Sequence, residues 1–296
     1  MKNLIQDLKQ QKNAIILAHN YQPIDVLEVA DFMGDSFELA KKAQETDADI
    51  IVFAGVSFMA ESAKILNPNK KVLLPSLKAT CPMAGMVNKE KLSKLKEQYP
   101  NASFVCYINT LAETKAMCDY CVTSSNAVKI CNKIESKEIV FLPDRNLAAH
   151  VQEKLPQRTI IPFNGYCYIH QYADKKVFEN AKQKYPDAPL LLHPETPLAL
   201  YEYADEVLST GGMVEYAQKS NANVILIGTE EKMAERLKYE FPEKEFIPLL
   251  KRCSGMGEIS LESIYESLKN EQHEISLISE LMNQAKIPLE RMMKMG

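Results

Sequence analysis

The chain has 296 residues, 46% of them hydrophobic and 25% charged, with a formal net charge of -4 and a pI near 5.9. That length can bury a sizeable core, in one large unit or in two to three small ones. Mild acidity without a Lys/Arg-rich run argues against a nucleic-acid footprint, and no run approaches the ~18 apolar residues that a membrane span needs, so the expectation is a cytoplasmic protein that contacts neither nucleic acid nor membrane.

Residues 1–13, MKNLIQDLKQQKN, read as an amphipathic helix with no apolar targeting segment. From Ala14 onward the chain repeats itself. AIILAHNYQPIDVLEVADFMGDSFELAKKAQ from Ala14, FVCYINTLAETKAMCDYCVTSSNAVKICNKI from Phe104 and LLLHPETPLALYEYADEVLSTGGMVEYAQKS from Leu190 each read as an apolar strand, a helix, a short strand opened by Asp, and a hydroxyl residue starting a second helix. His19 to Ser36, Tyr107 to Ser124 and His193 to Thr210 are all intervals of 17 residues. The segments that follow each add a β-branched strand ending at Gly or Pro, a helix, and a last short strand with a proline. Each repeat of about 86 residues thus reads β-α-β-α-β-α-β, an α/β class of three homologous three-layer α/β/α units with parallel sheets and right-handed crossovers. The expected division is 1–86, 87–172 and 173–257 for the units and 258–296 for a helical extension, with Pro288 marking a break in its last helix.

Seven cysteines in a reducing compartment suggest buried side chains, metal ligands or nucleophiles rather than a disulfide framework. Cys81, Cys167 and Cys253 recur at intervals of 86 residues, just past the last strand of each unit. Cys106, Cys118, Cys121 and Cys131 instead align with alanine, leucine, methionine or valine in the other repeats, and read as small buried hydrophobes. That includes Cys118-x-x-Cys121, which straddles a helix end and a strand start.

Ligands of open parallel sheets bind outside the carboxyl ends of the strands. Three units packed around a pseudo-threefold axis with those edges inward would bring the three repeating thiols to one side of a central cavity. Three thiolates suit either a [4Fe-4S] cluster with one iron lacking a protein ligand or a three-cysteine zinc site. Ser36, Ser124 and Thr210, at strand-to-helix junctions, add hydroxyls and backbone N–H groups for a carboxylate or phosphate. His19-x-Tyr21, Tyr107-x-Asn109 and His193-x-Glu195 add groups for acid–base work. An iron–sulfur dehydrating enzyme, an aconitase-like hydro-lyase and a zinc or redox-sensing binding protein are all compatible with the thiols alone. The polar triplets weigh against the last.

ILAHNYQ, ADFMGDS, GVSFMAESAKILNP, ATCPMAG, HPE followed by STGGM, and the three cysteines resemble the quinolinate synthase (NadA) family across essentially the whole chain. The resemblance implies a triangular arrangement of the three units and a [4Fe-4S] cluster on Cys81, Cys167 and Cys253, whose open iron acts as a Lewis acid. It implies condensation of iminoaspartate with dihydroxyacetone phosphate to quinolinate, with loss of phosphate and two waters, in de novo NAD biosynthesis. His19, Ser36, Ser124, His193 and Thr210 would hold carboxylate and phosphate groups, with Tyr107 and Asn109 beside them. Glu195 and Tyr21 would be the acid–base pair, with His19 counted beside them as catalytic. His170, three residues after Cys167, is expected near the cavity. L-Aspartate oxidase, which makes iminoaspartate, is the candidate functional partner. RCSGMGE lacks the Asn and Lys often found around that methionine in the family, and no C-x-x-C-x-x-C run accompanies Cys253.

Overall fold

The computed structural model describes residues 1–296. Strands β1 Ala14–His19, β2 Phe32–Gly34, β3 Ile50–Ala54 and β4 Lys71–Leu73 form a first sheet. Strands β5 Ser103–Tyr107, β6 Tyr120–Val122, β7 Glu138–Leu142 and β8 Thr159–Pro162 form a second. Strands β9 Leu190–Leu192, β10 Glu206–Val207, β11 Val224–Gly228 and β12 Glu245–Pro248 form a third. Every pairing is parallel, and each sheet repeats one order, 2-1-3-4 in its own numbering. With helices flanking them, these are the three α/β/α units expected.

The pattern follows from burial on both faces. A parallel strand covered by helices on each side reads as a continuous apolar run, and IIVFA in β3 is buried at every position. The proline-bearing strands β8 and β12 are sheet edges, where a missing N–H breaks no ladder. In the first unit the corresponding proline, Pro75, falls just beyond β4.

Two expectations change. The helix predicted after the first strand of each unit is a single turn, Ile24–Leu27, Ala112–Lys115 and the 3-10 turn Leu198–Tyr203, because the chain must re-enter the sheet within a few residues. Pro288 does not break the last helix, which runs from Ser279 to Met295. Ala285, Leu289 and Met292 flank the proline on one buried stripe, and that burial holds the helix together despite the lost hydrogen bond.

This last helix lies across the helix Ser57–Leu66 of the first unit and across Ala112–Lys115 and β6 of the second. Residues of the extension also join the edge of the first sheet, with Leu74 N–H donating to His273 O and Ile275 N–H to Val72 O. The first two units and the extension therefore share one continuous hydrophobic core, whereas the third unit keeps separate cores on the two faces of its sheet. Cys106, Cys118, Cys121 and Cys131 are buried in the shared core as free thiols, in line with the apolar reading. No helix is long and apolar enough to cross a membrane.

Candidate active site

In each sheet the first and third strands are neighbours whose onward connections run to opposite sides, which opens a crevice at their carboxyl ends. The three crevices face one cavity of about 690 Å³ of empty space, part of it open to solvent. Its lining includes His19, Tyr21, Ser36, Cys81, Tyr107, Asn109, Ser124, Cys167, His193, Glu195, Thr210 and Cys253, together with His170. All the sequence-predicted site residues thus meet there.

The His-x-Tyr and His-x-Glu spacings have a local cause. The Tyr21 N–H donates to His19 Nδ1 at 3.2 Å, and the Glu195 N–H to His193 Nδ1 at 3.4 Å. With Nδ1 an acceptor, the proton of the neutral ring sits on Nε2. Burial pushes both imidazoles down to about 3, against the opposing pull of the Glu195 carboxylate, so both are neutral donors at ordinary pH. His193 Nε2 lies 3.2 Å from Ser124 Oγ.

Glu195, 4% exposed, is the centre of the polar set. One carboxylate oxygen accepts from the Tyr107 hydroxyl at 2.8 Å, and the other lies 2.9 Å from His170 Nδ1, off the line that a hydrogen bond would need. Burial acts to raise its pKa but is outweighed by His170, His193 and Tyr107, which hold the carboxyl below its usual range. His170 stacks on His193, and its Nε2 meets Thr229 Oγ1 at 2.8 Å. Thr229 Oγ1 in turn lies 2.6 Å from the Tyr21 hydroxyl. A polar chain therefore connects Tyr107, Glu195, His170, Thr229 and Tyr21. Burial pushes both phenols well above their ordinary value, so they are proton donors. Asn109 Oδ1 is buried without a partner, an acceptor left for a ligand donor.

Of the three hydroxyls expected to start helices, Ser124 does not: it lies in the turn before the helix Ala127–Lys133, whose N-cap position is Asn126. Asp35, not Ser36, caps the helix Ser36–Glu45, with Glu38 completing a capping box, and Ser209, not Thr210, caps Thr210–Lys219. Ser36 and Thr210 then occupy the first helical position, where the hydroxyl is released from capping and joins the cavity lining. Thr210 Oγ1 accepts from Asn20 Nδ2 at 3.1 Å, and Asn20 Oδ1 accepts from the buried Arg236 at 2.9 Å.

Cys81, Cys167 and Cys253 are half-buried. Burial pushes the Cys81 thiol up to about 12 and raises Cys167 as well, so a nearby cation is needed for either to ionise. The only three ligand atoms mutually within 4.8 Å come from Cys167, His170 and Glu195, so the three sulfurs are not all that close together. A tetrahedral zinc with Zn–S bonds of about 2.3 Å would hold its thiolates about 3.8 Å apart. The loops around the sulfurs touch directly. A Cβ on Gly255 would stand 2.0 Å from the Thr80 carbonyl oxygen, which is why a glycine stands two residues after Cys253. Pro82 opens the 3-10 turn Pro82–Gly85, its missing N–H falling at a position that needs no partner.

A family model described as "Quinolinate synthetase A protein" (NadA) matches residues 3–294. The chain belongs to the quinolinate synthase family. A quinolinate synthase of Pyrococcus abyssi is 48% identical over 292 residues, covering 98% of this chain and 97% of the relative. One of Clostridium acetobutylicum is 48% identical over 298 residues, covering 100% and 98%. A third, of Pyrococcus furiosus, is 47% identical over 300 residues, covering 100% and 98%.

Within this quinolinate synthase fold, sequence reasoning overlooked Asp35, Thr229 and Glu230. Asp35 and Glu230 line the cavity, and Thr229 bridges His170 and Tyr21. Burial pushes Asp35 up to about 6 and Glu230 up to about 7. A signal for Glu230 was present: in two of the three repeats an acid stands two residues past the third strand, Asp144 in PDR and Glu230 in TEE.

Proposed function

We infer that the chain makes quinolinate from iminoaspartate and dihydroxyacetone phosphate, releasing phosphate and two waters, with a [4Fe-4S] cluster on Cys81, Cys167 and Cys253. The observation that carries this reading is that three thiols from three repeats share one cavity with neutral imidazoles, phenols and one low-pKa carboxylate. The thiols fit the group. They come one from each unit and line one cavity, Cys81 and Cys167 need a cation to ionise, and the three sulfurs are not all within 4.8 Å of one another, against about 3.8 Å on a single tetrahedral zinc. Bound there, the cluster would supply an electrophilic iron for a substrate oxygen about to leave.

The protein's own groups would do the rest. His19 and His193 present Nε2–H donors to carboxylates without bringing positive charge into the cavity. Ser36 and Thr210 add hydroxyl donors at helix starts, where free N–H groups favour an anion, and Ser124 adds a third from the turn before its helix. Glu195 is the base that removes a carbon-bound proton, and Tyr107 steadies it through the 2.8 Å hydrogen bond. Tyr21 is the matching acid, linked to Glu195 through Thr229 and His170. Asn109 offers its free oxygen to a substrate N–H or O–H. The same reading divides the chain into 1–86, 87–172, 173–257 and 258–296, places it in the cytoplasm, and makes an aspartate oxidase the source of iminoaspartate.

The test is anaerobic purification with iron, sulfide and zinc analysis, followed by supply of both substrates. A brown protein that forms quinolinate is the expected result. A colourless zinc protein would overturn the cluster. A cluster-bearing protein that dehydrates hydroxy acids but makes no quinolinate would overturn the substrates.

A further inference from the structure

The residues two past the end of β3, β7 and β11 are equivalent, and they are Val56, Asp144 and Glu230. Asp144 and Glu230 have no exposed surface. A buried carboxylate needs several donors, and each acid finds one in the backbone of a repeating cysteine. Asp144 Oδ2 accepts from the Cys167 N–H at 3.1 Å while its Oδ1 accepts from the N–H groups of Asn146 and Leu147 at 2.8 and 2.7 Å. Glu230 Oε1 accepts from the Cys253 N–H at 2.8 Å while its Oε2 accepts from the Lys232 N–H at 2.7 Å. Each side chain therefore ties the start of a helix to the main chain of a cysteine.

The units differ in what else makes this tie. In the first, where Val56 can accept nothing, the Ser57 N–H donates to Ala79 O at 2.8 Å. The second keeps the equivalent backbone link, Arg145 N–H to Gly165 O at 2.9 Å, and has Asp144 in addition. The third has no backbone link at this place, so Glu230 alone joins its helix start to its cysteine loop. From outside the unit, the Tyr168 hydroxyl meets the Ser254 N–H at 3.1 Å, Ser254 Oγ at 3.2 Å and Cys253 Sγ at 3.7 Å, and Gln22 Nε2 donates to Met256 O at 3.0 Å.

We propose that Asp144 and Glu230 are positioning residues for the metal centre, and that the Cys253 arm depends on Glu230 in a way that the other two arms depend on backbone. The proposal rests on the cluster reading above, but the tie itself is present in the cluster-free chain. It accounts for the acid in unit three, where no backbone link stands in its place. It also explains why a carboxylate with no cation partner of its own is kept beside the cavity.

Glu230→Met, Glu230→Asp, Glu230→Gln and Asp144→Asn test it. In the cluster-free protein, amide exchange in residues 249–254 is expected to quicken roughly tenfold or more in Glu230→Met, with the segment around Cys167 unchanged. Glu230→Asp, one methylene too short to reach both amides, should quicken the same segment. Glu230→Gln keeps an acceptor for only one of the two N–H groups and turns an NH2 toward the other, so it should quicken the same segment, though by less than Glu230→Met. After anaerobic reconstitution, Glu230→Met should lose iron to a chelator roughly tenfold faster than the parent, and Asp144→Asn, backed by the backbone link, by less. Parental exchange and parental cluster retention in Glu230→Met would overturn the proposal, and if that variant does not fold, parental exchange in Glu230→Asp would overturn it equally. A parent that takes up no iron and sulfide would sink the cluster reading instead, while the exchange data still decide the tie.

Discussion

Two glycines near the loops of Cys81 and Cys253, the proposed metal ligands, should respond differently to the same added methyl group. At Gly255 a Cβ would stand 2.0 Å from the Thr80 carbonyl oxygen and 3.2 Å from its carbon, where ordinary contact begins at 3.4 Å. The shortfall of about 1.4 Å is against backbone, not the end of a flexible side chain, so one loop must move. Overpacking of this kind costs about 1–3 kcal/mol, and the upper end applies because main chain meets main chain. At about 3 kcal/mol the closed arrangement of the loops bearing Cys81 and Cys253 loses about a hundredfold against an open one. Gly85, four residues after Cys81, has nothing within 4 Å of its Cβ position. Gly255→Ala should therefore take up much less iron and sulfide on anaerobic reconstitution and melt a few degrees lower without cluster, while Gly85→Ala matches the parent in both. Equal metal content and equal melting in the two variants would refute the packing argument.

Cys81→Ser, Cys167→Ser and Cys253→Ser should each lose iron and sulfide, whereas Cys121→Ala, a change in the shared core, should keep them; metal analysis of all four would expose a wrong ligand set by giving equal contents. Glu195→Gln should retain the hydrogen bond to Tyr107 and the cluster yet lower turnover by about a hundredfold or more, and near-parental quinolinate formation would remove Glu195 from the chemistry. Asp35 titrates near 6 in the folded chain against 3.8 for a free carboxyl, so the folded state holds its proton to higher pH than the unfolded one. Its contribution is most favourable below 3.8, declines across pH 4–6, and above that amounts to a penalty of about 3 kcal/mol from burying the charge. Asp35→Asn, still able to cap its helix, should raise the melting temperature at pH 7.5 and leave it unchanged near pH 4; a gain equal at both would contradict the assignment.

Much of the site was legible because the repeat turns three weak local signals into one strong one. A single His at a strand end, a single Ser at a helix start or a single Cys after an edge strand has ordinary structural explanations. Aligned at constant spacing in three units, they mark the carboxyl ends of parallel strands, where ligands bind. What stayed hidden consists of contacts between units. Gly255 against Thr80, Tyr107 with Glu195, and Arg236 with Asn20 join residues more than 80 positions apart, and no periodicity encodes such pairs.

Sequence by itself determined the parallel α/β units, the identity of the residues that meet in the cavity, and the burial of the four remaining cysteines, since apolar runs, turn residues and repeat spacing act locally. Tertiary structure alone decided three further things. The first two units share a core with the C-terminal helix while the third stands apart, because apolar faces pair by shape across the chain. Pro288 stays inside a helix, because burial on its stripe outweighs one missing hydrogen bond. The capping of the helix starts falls to Asp35 and Ser209, which leaves the hydroxyls of Ser36 and Thr210 for the cavity.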